Sequence, residues 1–272
     1  MISRIVVAAG LVAGLLGAAP ADASARTLLP AVSMEAVLKA AQIDPRRSDS
    51  AITPGSGDGV LLVEQALSAR GLLDAAYADG HFGTRTVDAY AAYQRSLGYT
   101  GLDASGLPGQ TSLRRLGEQR YTVTATVSAG DRLTYRGALM NARTKAMLVE
   151  AERLLGRQLD ITQGSYNTGN PGSAGTHDGG GALDLSVAGM SAATRTAVAK
   201  ALRQVGFAAW VRTPAQGDWG YHIHAVALAD PDLSPAAQHQ AGDYYLGYNG
   251  LANRAPDDGP AVAKRTWEDY NR

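Results

Sequence analysis

The sequence predicts an α+β chain: a small three-helix domain, then an antiparallel sheet with flanking helices. Two observations carry this expectation. Residues 58–118 place apolar side chains at helical spacing between Gly-rich turns. Residues 119–251 interleave helical patterns with short runs of β-branched and aromatic residues, which read as strands with helices to one side. With a leader, an N-terminal helix with its linker, and a tail, the expected divisions are 1–25, 26–57, 58–118, 119–251 and 252–272.

At the start, Arg4 precedes an apolar run from Ile5 to Ala19. Small-x-small sites follow at Ala21-Asp22-Ala23 and Ala23-Ser24-Ala25, the form of a secretion signal. The run is too short and small-sided for a membrane span, and no second run is long enough. The expectation is a secreted protein, extracellular or wall-associated, without stable membrane insertion. The chain has no cysteine, which excludes disulfides, a thiol nucleophile and thiolate metal ligands. A core built from roughly 245 mature residues must hold it together. Twenty-five basic and 25 acidic residues balance, so charge points to no nucleic-acid partner. Tyrosine is common and phenylalanine scarce, which is consistent with aromatic surfaces that stack on sugars.

The elements follow in order. Ser33 to Ala41 reads as a helix capped by Ser33, with Glu35 near the positive end of its dipole. Residues 44–59 have linker composition. Val60, Val63, Ala66 and Leu67 mark the first helix of the bundle, which ends before Gly71. After the turn Asp79–Gly83, a second helix with Thr84 as cap puts Ala89, Tyr90, Tyr93 and Leu97 on one face, and Gly98 closes it. The third helix follows a turn from Gly101 to Gly109 and ends near Leu116. Tyr121, Val123, Ala125 and Val127 alternate with polar residues as in a half-buried strand. A helix from about Thr144 is expected to bury Met147, Leu148, Ala151, Leu154 and Leu155 and to stop at Gly156. Strands are expected at 159–163, 182–187, 207–212 and 219–228, a helix at 191–205, and a last helix starting at Ser234-Pro235. Residues 255–260 read as linker, and two readings of the tail stay open: Trp267 and Tyr270 dock it onto the domain, or it is disordered.

Three of the five histidines fall in two short motifs, Thr176-His177-Asp178-Gly179-Gly180-Gly181-Ala182-Leu183-Asp184 and His222-Ile223-His224. Strand alternation turns Asp184 away from core-facing Leu183 and Leu185. Gly179 to Gly181 let the loop return His177 over that strand. His222 and His224 share a strand face, so one is expected to bind a metal and the other to act beside it. Two imidazoles, a carboxylate and an open position make the arrangement of a catalytic zinc site. Ser173 and Thr176 are placed to orient His177. His81, Asp178 and His239 are expected in solvent, Trp210 in the core, and Trp219 and Tyr221 packed on the face opposite His222.

Two family resemblances follow. Asp79-Gly80-His81-Phe82-Gly83-Thr84-Arg85-Thr86, Ala89-Tyr90-Ala91-Ala92-Tyr93-Gln94 and the turn from Asp103 to Thr111 resemble the three-helix peptidoglycan-binding domain of bacterial cell-wall enzymes, the last turn being one residue longer than the family pattern. That resemblance implies binding to wall glycan or stem peptide. Over roughly residues 141–250, the His-x6-Asp pair and the later His-x-His resemble the zinc D-Ala-D-Ala carboxypeptidases and the wider group that includes lysostaphin-type metallopeptidases. This implies Zn2+ held by His177, Asp184 and His224, with His222 as the catalytic histidine. The chain departs from the pattern at Tyr221, where many D-Ala-D-Ala dipeptidases carry a glutamate base. Asn167 also replaces the arginine of a Tyr-Arg pair and lacks a cationic fork for a carboxylate. Arg136, Arg143 and Arg212 are the candidates to substitute. Gln163, Ser165 and Tyr166 are the candidates for substrate contact.

The expected function is a secreted zinc peptidase of peptidoglycan stem peptides, a D-Ala-D-Ala carboxypeptidase or an endopeptidase, brought to the wall by its N-terminal domain. The alternative is a non-catalytic peptidoglycan-binding protein whose zinc is structural or recognises a peptide end. A glycosidase needs two carboxylates across a sugar, and the sequence places only Asp184.

Overall fold

The computed structural model describes residues 28–272, so the expected secretion signal lies outside the described residues. The fold is mixed helix and sheet, with small, mainly antiparallel sheets. Its centre is a four-stranded antiparallel sheet in the order β5 (Ile161–Gln163), β6 (Ala182–Ser186), β8 (His222–Ala227), β7 (Phe207–Arg212). Alternation along the strands creates two faces. Leu183, Leu185, Phe207, Ala209, Ile223 and Ala225 pack against α5 (Ala142–Leu155) and α6 (Ala192–Gln204). Ala208, Trp210 and Val226 face the opposite way, towards α7 (Pro235–Leu246). Helices therefore cover both faces rather than one.

The second face shares a continuous core with the N-terminal helices: α1 (Met34–Ile43), α2 (Gly57–Ser68), α3 (Thr84–Ser96) and α4 (Gln110–Leu116). Ser33 caps α1 as expected, its hydroxyl accepting from Ala36. α3 instead starts at Thr84 with Gly83 as its cap. The stretch expected as linker is pinned down. Buried Asp44 accepts from the Thr53 hydroxyl and from the Phe82 backbone N–H. His81 is also not free in solvent, since its Nδ1 lies 3.1 Å from the Ala51 carbonyl oxygen.

The strand expected over 121–127 shortens to β2 (Thr122–Thr124), and it pairs in parallel with β1 (Ala31–Ser33) rather than joining the large sheet. Ala125 adopts φ 44°, which breaks the extended run. A hairpin of β3 (Arg132–Tyr135) and β4 (Ala138–Asn141) has no counterpart in the sequence reading. Its two-residue turn, Arg136-Gly137, has φ 50° and 80°, as a tight primed turn requires. Leu154 is 41 % exposed and falls outside the buried face of α5. The tail is ordered and ends in α8 (Trp267–Asn271), so α7 is not the last helix. Residues 255–260 are no linker either: Asp257 accepts two hydrogen bonds from Arg203 and one from Trp210 Nε1. Trp267 and Tyr270 pack onto the core beside α5 and α6, the docked of the two readings of the tail. No helix among the described residues is long and apolar enough to cross a membrane.

Glu64 on α2 is fully buried. It accepts from the backbone N–H groups of Asp79 and Gly80 and from the Thr86 hydroxyl. Burial outweighs these donors and pushes its carboxyl up to about 7. The folded state then binds the proton more tightly than the unfolded chain does. Its contribution is greatest below the unfolded value near 4.5 and is lost as pH rises through about 7. The full swing is about 3 kcal/mol. Chemical denaturation of the wild type and Glu64→Gln across this range checks it. Their stability difference should shift in favour of the variant as pH rises.

Candidate metal centre

The antiparallel register of the large sheet lines up polar side chains on one face. Gln163 pairs with Asp184, Asp184 with His224, and His224 with Trp210. The next row pairs Ser186 with His222 and His222 with Arg212. His177 joins them from the loop between β5 and β6. That loop is held close to its neighbours: Tyr166 and Asn167 donate to the Gly179 and His177 carbonyls, and Gly180 donates to Asp232. A Cβ at Gly179 would lie 2.3 Å from the Asp232 carbonyl oxygen, so the approach requires glycine.

His177, Asp184 and His224 form a group whose ligand atoms lie within 4.8 Å of one another and which could hold a metal ion. His177 Nε2 is 3.3 Å and His224 Nδ1 is 2.7 Å from Asp184 Oδ1. Around a tetrahedral ion of this kind, neighbouring ligand atoms stand about 3.3 Å apart. The far nitrogen of each ring is already engaged. His177 Nδ1 lies 2.9 Å from the Gly164 carbonyl oxygen, and His224 Nε2 lies 2.8 Å from Gln240 Oε1. Both partners are acceptors, so those nitrogens carry the protons. The near nitrogens of the neutral rings then aim lone pairs at a carboxylate oxygen. Three acceptors converge on one point, and a cation there satisfies all of them. Both imidazoles are oriented as metal-ligating histidines are, each N–H donating to a protein oxygen.

Burial pushes the Asp184 carboxyl upward, but hydrogen bonds and positive charge from His177 and His224 override it when those rings carry a proton towards it, and hold the group well below the usual carboxylate range; a cation at the same point would act in the same sense. Burial pushes His224 down, which favours the neutral, ligating imidazole. His222 lies outside the tight group. Its Nδ1 is 2.8 Å from the Gly220 carbonyl oxygen, and its Nε2 is 3.8 Å from Asp184 Oδ1.

The remaining expected residues divide. Gln163 borders the row, with a buried Nε2 that has no partner. Ser165 is buried and donates to the Ala182 carbonyl, and Tyr166 donates to Asp232. Thr176 donates to the Ser173 carbonyl, and Ser173 to that of Asn170, so the Gly164 carbonyl orients His177 in their place. Asp178 is only half-exposed, and its Oδ1 is buried. His239 is exposed and Trp210 is buried, as expected, and Trp210 stacks on His224 with 6.5 Å between ring centroids. Trp219 does not pack opposite His222 but meets that ring edge-on. Tyr221 is 52 % exposed under the Arg195 guanidinium. Arg136 and Arg143 are engaged with Glu152 and Glu268. Arg212 alone of the three shares the site's face. Gln240, Gly164 and Trp219 are the site neighbours that sequence reasoning missed. No spacing marks Gln240, and a backbone carbonyl leaves no residue-type signal.

No family model, curated protein or solved structure matches the chain.

The orienting role of Gln240 predicts that Gln240→Ala weakens divalent-metal binding 10- to 100-fold. Competition against a chromophoric chelator measures this. Unchanged affinity would show that the contact does not position His224.

Proposed function

We propose that the protein is a zinc-dependent peptidase of peptidoglycan stem peptides, brought to the wall by its N-terminal helices. The observation that carries the metal reading is the convergence of His177 Nε2, His224 Nδ1 and Asp184 Oδ1, with both distal ring nitrogens engaged by acceptors. All-nitrogen-and-oxygen ligation with imidazole in the majority suits zinc. Bound there, zinc supplies Lewis-acid polarisation of a carbonyl and acidification of water.

The protein's own residues account for the rest. His222 directs its Nδ1 proton to the Gly220 carbonyl, which leaves the Nε2 lone pair on the cluster side. Neutral, Nε2 accepts a proton from the attacking water. Once protonated, it donates to the developing oxyanion or the leaving amine. Trp219, edge-on to the ring, restricts its rotation. No carboxylate base is needed beside Tyr221 in this arrangement. Arg212 adds positive charge beside His222. Burial pushes it down to about 10, but it stays charged at neutral pH. That charge favours a substrate with a nearby carboxylate. The wall substrate is supported by the sequence patterns of the helical bundle and of the paired motifs.

Mass spectrometry of purified muropeptides after incubation with the mature protein and zinc tests the reading. Loss of a terminal alanine marks a carboxypeptidase, split cross-links mark an endopeptidase, and a chelator abolishes either product. His222→Ala should keep a full equivalent of zinc and lose about 10²- to 10⁴-fold in turnover. Unchanged muropeptides with zinc bound would put the non-catalytic wall-binding reading in its place.

A further inference from the structure

A pocket of about 330 Å³ opens beside the end of β7, on the face of the sheet opposite the metal group. α6 walls it with Ala192 and Arg195, β7 with Val211, the residue before β8 with Tyr221, and the tail with Asp258 and Pro260. The Arg195 guanidinium lies 4.8 Å over the Tyr221 ring, and its Nε donates to the Met190 carbonyl at 3.3 Å, which leaves both terminal nitrogens for a ligand. Asp258 Oδ2 accepts from Gln216 Nε2 at 2.8 Å, which leaves Oδ1. The pocket thus carries one cation and one anion, and among the described residues neither is in an ion pair. Arg195 also stands in the first turn of α6, where a positive charge opposes the helix dipole. An anion beside it relieves that conflict.

These two charges select a ligand class. A lone anion gains at Arg195 and loses at Asp258, and a lone cation does the reverse. An uncharged ligand would take water from both groups and pair neither. A zwitterion satisfies both, with its carboxylate across the terminal nitrogens of Arg195 and its ammonium on Asp258. Between them, Ala192, Val211, Pro260 and the Tyr221 ring reward an apolar side chain. The volume lies near the lower end of small-molecule pockets, about 300 Å³, and suits one small molecule rather than a polymer. We propose that this pocket binds a free amino acid with an apolar side chain. Thr213 also lines it, and Thr213 and Tyr221 bound the loop that brings Trp219 edge-on to His222. The ligand therefore sits at the base of the loop that borders the metal group, from the reverse side of the sheet. The inference goes beyond the peptidase reading and does not rest on it, since the pocket needs neither the metal nor a wall polymer.

Isothermal titration of the protein with leucine tests it, beside isocaproate, which lacks the ammonium, and isoamylamine, which lacks the carboxylate. Leucine should bind saturably in the millimolar range, and each half-molecule at least tenfold more weakly. Arg195→Gln and Asp258→Asn should each weaken leucine binding at least tenfold with the melting temperature unchanged, because neither side chain belongs to the core. In Asp258→Asn the preference for leucine over isocaproate should disappear, a result that general loosening of the pocket would not give. His224→Ala, on the opposite face, should leave leucine affinity unchanged, so failure of the peptidase reading is distinguishable from failure of this one. The proposal is overturned if leucine shows no saturation at tens of millimolar, or if isocaproate binds the wild type as tightly as leucine does. Leucine affinity that survives both Arg195→Gln and Asp258→Asn would overturn it too.

Discussion

The antiparallel pairing of β6 with β8 is the constraint on which the site depends. Its register sets Asp184 directly across from His224 and Ser186 across from His222. Side chains alternate with a period of two, so a slip of one residue would send Asp184 or both histidines into the apolar layer under α5 and α6. The leucines and alanines on the other face resist that slip, because it would bring Leu183, Leu185 and Ile223 out of a fully buried core. The hydrophobic layer thus fixes the position of the polar cluster on its reverse side.

The opposite face is finished by elements distant in sequence. Trp210 stacks on His224 and is held from behind by Asp257 of the tail, which also engages Arg203. α7 brings Gln240 to the other nitrogen of His224. One imidazole is therefore fixed by a ring at its face, a carboxylate at one edge and an amide at the other. This rigidity lowers the reorganisation that ligating a cation requires.

Much of this was legible in the sequence, for physical reasons that differ by element. The helices capped by Ser33, Ser191 and Ser234 were readable because the cap hydrogen bond is local and chemically specific. β7 was readable because both its ends adjoin turns and its run from Phe207 to Val211 is continuously apolar. Strand alternation, a local rule, put Asp184 on a polar face and His222 and His224 on a shared one, but it was the motif resemblance that joined them to His177 as one site. The β1–β2 pairing joins segments some ninety residues apart and has no local signature. The β3–β4 hairpin was hidden because an arginine occupies a left-handed turn position where glycine or asparagine would have signalled it. Gln240 acquires its role only from where α7 lies against the sheet.

The two ends of the described chain meet. Glu35 near the start of α1 accepts from the Thr266 hydroxyl and from the Arg272 guanidinium. A junction between residues so far apart in sequence carries a large loop-closure cost until the intervening chain is compact. During synthesis, Asp257, which braces Trp210 behind His224, emerges after β8 itself. A nascent chain can therefore form its N-terminal helices while the imidazole of β8 still lacks its backing.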